Sequence, residues 1–248
     1  MKTLILGAAI GFAAFTSAQA GQTVAHQQET AIRSPADGGI PAAFDILAAH
    51  AHRDGNTVTF HMTTNGTAGA DIPPAKGTLA GAPVWSYVWP TSLNPLTVGF
   101  AGDSGILALA ATSHPDFDDT PLFDENGDGD PGNDGTKWHS HWLVLSGSEG
   151  CGNGQLGVRN IARGTSPAMP ATWPGLPVYL DSPGFTPLFD GAEITVNVGF
   201  SPDVALADVA YDGVTAALRV NANLHAPLLC VTDVFDLASG DLSLPGKL

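Results

Sequence analysis

The chain has 248 residues, of which 24 are acidic and nine basic, for a net charge of −15 at pH 7. So acidic a molecule is pushed away from phosphate backbones and anionic lipid, which argues against nucleic acid as a partner. Hydrophobic residues make up 44%, enough for a sizeable core, and 30 glycines with 19 prolines point to many turns and short elements.

Met1 to Ala20 reads as a secretory signal: Lys2 gives the positive start, Leu4 to Phe15 the apolar run, and Ala18-Gln19-Ala20 a small-residue cleavage site. No later segment is long and apolar enough to span a membrane as a helix, so a periplasmic or secreted location is expected, with residues 21–41 as a flexible leader and 42–248 as one domain. In an oxidising compartment the two cysteines, Cys151 and Cys230, are expected to pair.

Phe44 to Arg53 is the first predicted strand. The two-residue repeat places Phe44, Ile46, Ala48, His50 and His52 on one face. Asp54-Gly55-Asn56 turns the chain into a second strand, Thr57 to Thr63, with Val58, Phe60 and Met62 on one face and His61 among threonines on the other. Asn65-Gly66-Thr67 in the loop that follows fits a glycosylation acceptor. Val84 to Trp89 aligns Trp85, Tyr87 and Trp89, an aromatic row that fills a core or forms a platform for a flat ligand such as a sugar, core filling being the better reading.

Gly105 to Thr112 is a buried strand leading to His114. An acidic loop follows, and Lys137 to Leu145 resumes strand pattern, with His139, His141, Leu143 and Leu145 alternating against Trp138, Ser140, Trp142 and Val144. Ser146 to Pro177 shows little periodicity. Glu193 to Phe200, Val214 to Val220 and Leu228 to Phe235 complete the strands, and His225 lies just before the last. The expected fold is all-β: a single-domain antiparallel β-sandwich with long Gly/Pro-rich loops.

Two constellations carry chemistry. In Asp124-Glu125-Asn126-Gly127-Asp128-Gly129-Asp130, oxygen ligands alternate with turn-forming glycines, as at the start of a calcium loop; Gly135 stands where an EF-hand needs its bidentate Glu, so an EF-hand is rejected. Asp124, Asn126, Asp128, Asp130 and Asp134 are the candidate Ca²⁺ ligands. The second constellation is a pair of HxH motifs, His50-Ala51-His52 and His139-Ser140-His141. Each sets two imidazoles about 6.5 to 7 Å apart along one strand face, and His61, His114 and His225 are further candidates. Nitrogen donors of this kind suit copper or zinc. The opposing interpretation is that these are ordinary strand histidines satisfied by carbonyls or water.

Signatures for serine hydrolases (GxSxG), HExxH metalloenzymes, P-loops and GxGxxG dinucleotide folds are absent. By its WHSHW, DENGDGD and NANLHAPLLC blocks the chain resembles a group of uncharacterised secreted bacterial proteins. In outline it is also similar to β-sandwich modules of the DOMON and carbohydrate-binding kind, which implies a binding module rather than a defined reaction. The expected function is metal capture, buffering or delivery outside the cytoplasm, with metal ions and another periplasmic metal-handling protein as partners. A carbohydrate-binding module and a metal-dependent enzyme are the alternatives.

Overall fold

The computed structural model describes residues 31–74, 80–115, 129, 137–159, 180–181, 185–222 and 227–248. Its strands are, in chain order, β1 (Ile32–Arg33), β2 (Ile46–Asp54), β3 (Thr57–Thr64), β4 (Pro83–Pro90), β5 (Ile106–Ser113), β6 (His139–Gly147), β7 (Leu156–Val158), β8 (Leu180–Asp181), β9 (Leu188–Asp190), β10 (Glu193–Gly199), β11 (Ala210–Tyr211), β12 (Val214–Val220), β13 (Leu229–Leu237) and β14 (Gly246–Lys247). The chain is all-β, and every ladder among the described residues is antiparallel. No helix among them is long and apolar enough to cross a membrane.

A first sheet runs β1-β2-β3-β10-β9. Its central strands alternate as β-branched and aromatic sequences do: Val58, Phe60 and Met62 of β3 and Ile194, Val196 and Val198 of β10 are all buried on one side. The β2–β3 hairpin forms as expected, but β2 does not keep one face throughout. Its register against β3 shifts between Ile46 and Ala48, so an extra β2 residue enters the ladder there. Ile46 is buried, but beyond the shift it is Ala49 and Ala51 that turn inward, and His50 and His52 turn to the outer face. The expectation that these histidines continue the Phe44–Ile46 row is thereby corrected, because a bulge inverts every side chain after it. Ile32–Arg33, within the stretch read as a leader, pairs with Ala49 and Ala48 as β1.

The second sheet follows the order β5-β4-β12-β13-β7-β6-β8, and β5 also pairs with β6. The ladders β5–β4–β12–β13–β7–β6 therefore return to β5 and close a ring. Two apolar cores result. One lies between the first sheet and the outer wall of the ring, where Tyr87, Trp89, Leu107, Leu109, Trp142 and Val144 meet Phe60, Met62 and Ile194. The other, inside the ring, gathers Val84, Val88, Ala108, Ala110, Leu143, Ala216 and Leu218. Tyr87 and Trp89 are fully buried in the first core and Trp85 packs against it, so the aromatic row fills space between layers. The Tyr87 hydroxyl donates to the Ala43 carbonyl and accepts from the Gly69 amide.

The ring is thinnest between β7 and β13, which pair only through Gly157 and Cys230. The disulfide Cys151–Cys230 spans that seam. Gly157 is needed beside it: a Cβ there would lie 2.7 Å from Pro227 and 2.9 Å from the Cys151 sulfur. Removing the disulfide through Cys151→Ser/Cys230→Ser should lower unfolding free energy by about 4 kcal/mol on the chain-entropy account. Urea denaturation checks this, and hydrogen exchange should show the earliest loss of protection at β7 and the start of β13.

Candidate metal centre

Strand β6 has one face toward each core. Trp142 and Val144 belong to the core between layers, Leu143 to the core inside the ring. By the two-residue repeat His139 and His141 share the face of Leu143, at the end of the ring where β6 begins. On β5 the same repeat carries Ala108 and Ala110 of the ring core on to Thr112 and then His114, the residue after the strand ends. The β5–β6 register sets Ala108 opposite Leu143, Ala110 opposite His141 and Thr112 opposite His139. Small β5 side chains thus leave room for the imidazoles opposite.

His114, His139 and His141 are 5%, 1% and 3% exposed. Their rings stand nearly perpendicular in sequence: centroids are 5.1 Å apart for His114 and His139 and 4.7 Å for His139 and His141. One nitrogen from each lies within 4.8 Å of the other two, so the buried trio could hold a metal ion. Bonds of 2.0 to 2.1 Å at a tetrahedral ion would set ligand nitrogens roughly 3.3 Å apart, so the rings need draw together by only about 1.5 Å at most.

Two of the three rings have their tautomer set by the backbone. His114 Nδ1 lies 3.0 Å from the Pro115 carbonyl oxygen, and His139 Nδ1 lies 2.8 Å from that of Lys137. A carbonyl oxygen only accepts, so both Nδ1 atoms carry the proton and both Nε2 atoms keep a lone pair, as in metal-binding imidazoles held by an outer partner. Beside them the Thr112 hydroxyl is buried with no hydrogen-bond partner among the described residues.

The other HxH motif does not join this group. His50 and His52 lie on β2 in the first sheet, half-buried on its outer face, whereas His139 and His141 are inside the ring formed by the second. Four imidazoles from the two motifs therefore do not converge. His50 instead faces His61 across the β2–β3 ladder, Nδ1 to Nδ1 at 3.1 Å. His61 Nε2 lies 2.5 Å from Glu193 Oε2, and that same oxygen accepts from the Thr63 hydroxyl at 2.9 Å. A carboxylate on His61 Nε2 places the proton there, so His61 Nδ1 accepts from His50 Nδ1 and the His50 Nε2 lone pair is left outermost in the chain.

Glu193 had no marker in the sequence as a histidine partner, being the first residue of an ordinary alternating strand more than a hundred positions from His61. Met62 is buried in the core between layers and offers its sulfur to neither histidine group. The calcium candidates Asp124, Asn126, Asp128, Asp130 and Asp134, together with His225, lie outside the described residues.

Comparison with known proteins finds no matching family model, no matching curated protein and no matching solved structure. The site's chemistry therefore rests on its geometry.

Burial is the main cause that lowers His50 from 6.5 to about 4; the His61 imidazole lowers it further, Glu193 opposes the shift, and His52 adds a smaller lowering. Burial also lowers His61. With the folded value depressed, the unfolded chain binds more protons between the two values, so the stability that neutral His50 permits is complete above about pH 6.5 and is lost as the pH falls through about 4. Denaturation midpoints across that window should fall with acid in the native chain and fall less in His50→Gln.

Proposed function

We propose that the protein is a secreted or periplasmic metal-binding protein that holds one transition-metal ion on His114, His139 and His141. The observation that carries this reading is the convergence of three buried imidazoles, two of them oriented by backbone carbonyls. Burying three such rings side by side costs desolvation of their nitrogens, and a shared cation recovers that cost through bonds no water could match.

Zinc is the ion this donor set suits best, with copper second. All three donors are nitrogens, and among the described residues Met62 is in the other core and both cysteines are oxidised, so neither offers a sulfur here. Copper(II) favours four donors near one plane, whereas three imidazoles with one open position are a donor set that zinc commonly takes. Three protein ligands leave a fourth position for water or an incoming group, and the Thr112 hydroxyl is placed on the same face of the neighbouring strand.

The chain's charge of −15 adds an attraction for cations at long range. Capture, buffering or delivery of the metal outside the cytoplasm is the role that fits, and a Ca²⁺ ion in the loop containing Asp124, Asp128 and Asp134 would order the approach to β6 and so to His139.

The test is elemental analysis of untagged protein after dialysis against equal zinc and copper. About one equivalent of metal is expected in the native chain and in His50→Ala/His61→Ala, with none in His114→Ala/His139→Ala/His141→Ala and loss below about pH 5. A native chain that retains no transition metal, or a triad variant that retains it, overturns the proposal. Asp124→Ala/Asp128→Ala should lose calcium and keep the transition metal.

A further inference from the structure

The ring encloses more than the triad. Below the histidines, along the same strands, lies an apolar cavity of about 80 Å³. Its wall includes Ala110, which pairs with His141 across the β5–β6 ladder, and Leu143, the next residue after His141 on the inward face of β6. Ala216 and Leu218 of β12 form the wall beyond. Ser86 is the one polar side chain among the described residues of the wall, and its hydroxyl donates to the Ala216 carbonyl at 2.9 Å, so it turns no polar atom toward the space.

Toward solvent the cavity is bounded by Val234, which is 45% exposed, and by Leu242. Leu242 holds a backbone φ of 57°, in the left-handed region that leucine rarely enters. Its amide donates to the Ser239 hydroxyl oxygen at 3.0 Å, and its side chain packs against the ring core. An unfavourable backbone conformation is retained here by contacts that set a leucine side chain over the cavity's rim.

We propose that this cavity is a binding site for a small uncharged apolar molecule, held between Ala110 and Leu143 just beyond the histidines, with Leu242 as its cap. The lining chooses the chemistry. A space walled by carbon offers nothing to water or to an ion, and cavities of this kind stay dry and take up apolar guests. The volume sets the size: an apolar cavity of about 150 Å³ takes benzene, so the occupant here is smaller than a benzene ring, in the range of xenon, a diatomic gas or a three-carbon hydrocarbon. That such a molecule would lie near a bound ion rests on the function proposed above; the cavity and its walls of Ala110 and Leu143 do not.

The experiment is a titration of the full chain with xenon, and separately with propane, followed by the methyl resonances of Leu143 and Ala110, in metal-free and zinc-loaded protein. Saturable shifts at both residues are expected in the metal-free chain. Ala216→Leu, which fills the cavity from β12, should weaken binding by about tenfold or more. Leu242→Gly, which suits the left-handed backbone and uncovers the rim, should leave the fold intact and speed exchange of the guest. Absence of saturable shifts in the native chain, or equal binding in Ala216→Leu, overturns the proposal, as does binding that moves Ala110 but leaves Leu143 unchanged. If zinc fails to bind, the metal-binding reading falls, and the metal-free arm still decides this one.

Discussion

Everything at the candidate site depends on the register of one ladder, the pairing of β5 with β6. It aligns Thr112 with His139 and Ala110 with His141, and it puts both histidines on the inward face of a closed ring. A slip of one residue would carry them to the face of Trp142 and Val144, into the core between layers, and would put Trp142 where the imidazoles now sit. The register is held from both sides, because each face of β6 is buried and neither tolerates the other's residues. Two cores, each with its own size requirement, therefore discriminate against the slip.

The same alternation explains why the ring interior changes character along its length. Toward one end β5 contributes Thr112 and β6 His139; in the middle they contribute Ala110 and His141; beyond that, Ala108 and Leu143. Polar rings thus give way to aliphatic side chains within two residues on a single strand, and an apolar cavity follows directly on a group of nitrogen donors. Carbonyls of Lys137 and Pro115, at the ends of the two segments that enter the ring, hold His139 and His114 in the tautomer whose Nε2 keeps the lone pair. The loop joining those segments is the acidic one, so the most anionic stretch of the chain connects the two halves of the donor set.

The long strands were readable because they alternate over seven to nine residues with β-branched and aromatic side chains, as β3, β10 and β12 do. The strands without an expectation, β1, β7, β8, β9, β11 and β14, have two or three residues each, too few to leave a local period to detect. His139 and His141 were legible as a motif and His114 as a candidate. Their assembly into a trio without His50 and His52 was not, because a bulge after Ile46 and the closing of β5 on β6 are both long-range events. The expected disulfide formed, and its purpose at the thin β7–β13 seam became visible only with the pairing of Gly157 and Cys230.

Three buried imidazoles are proposed to form one coordination sphere. X-ray absorption at the zinc edge of the zinc-loaded full chain tests it most directly. Expected is a first shell of nitrogen and oxygen at about 2.0 to 2.1 Å containing three imidazoles, recognised by the outer-shell scattering of their ring carbons. That imidazole signature should vanish in His114→Ala/His139→Ala/His141→Ala and persist in His50→Ala/His61→Ala. A shell of oxygens without imidazole scattering, or an imidazole signature lost with His50 and His61 instead, would contradict it.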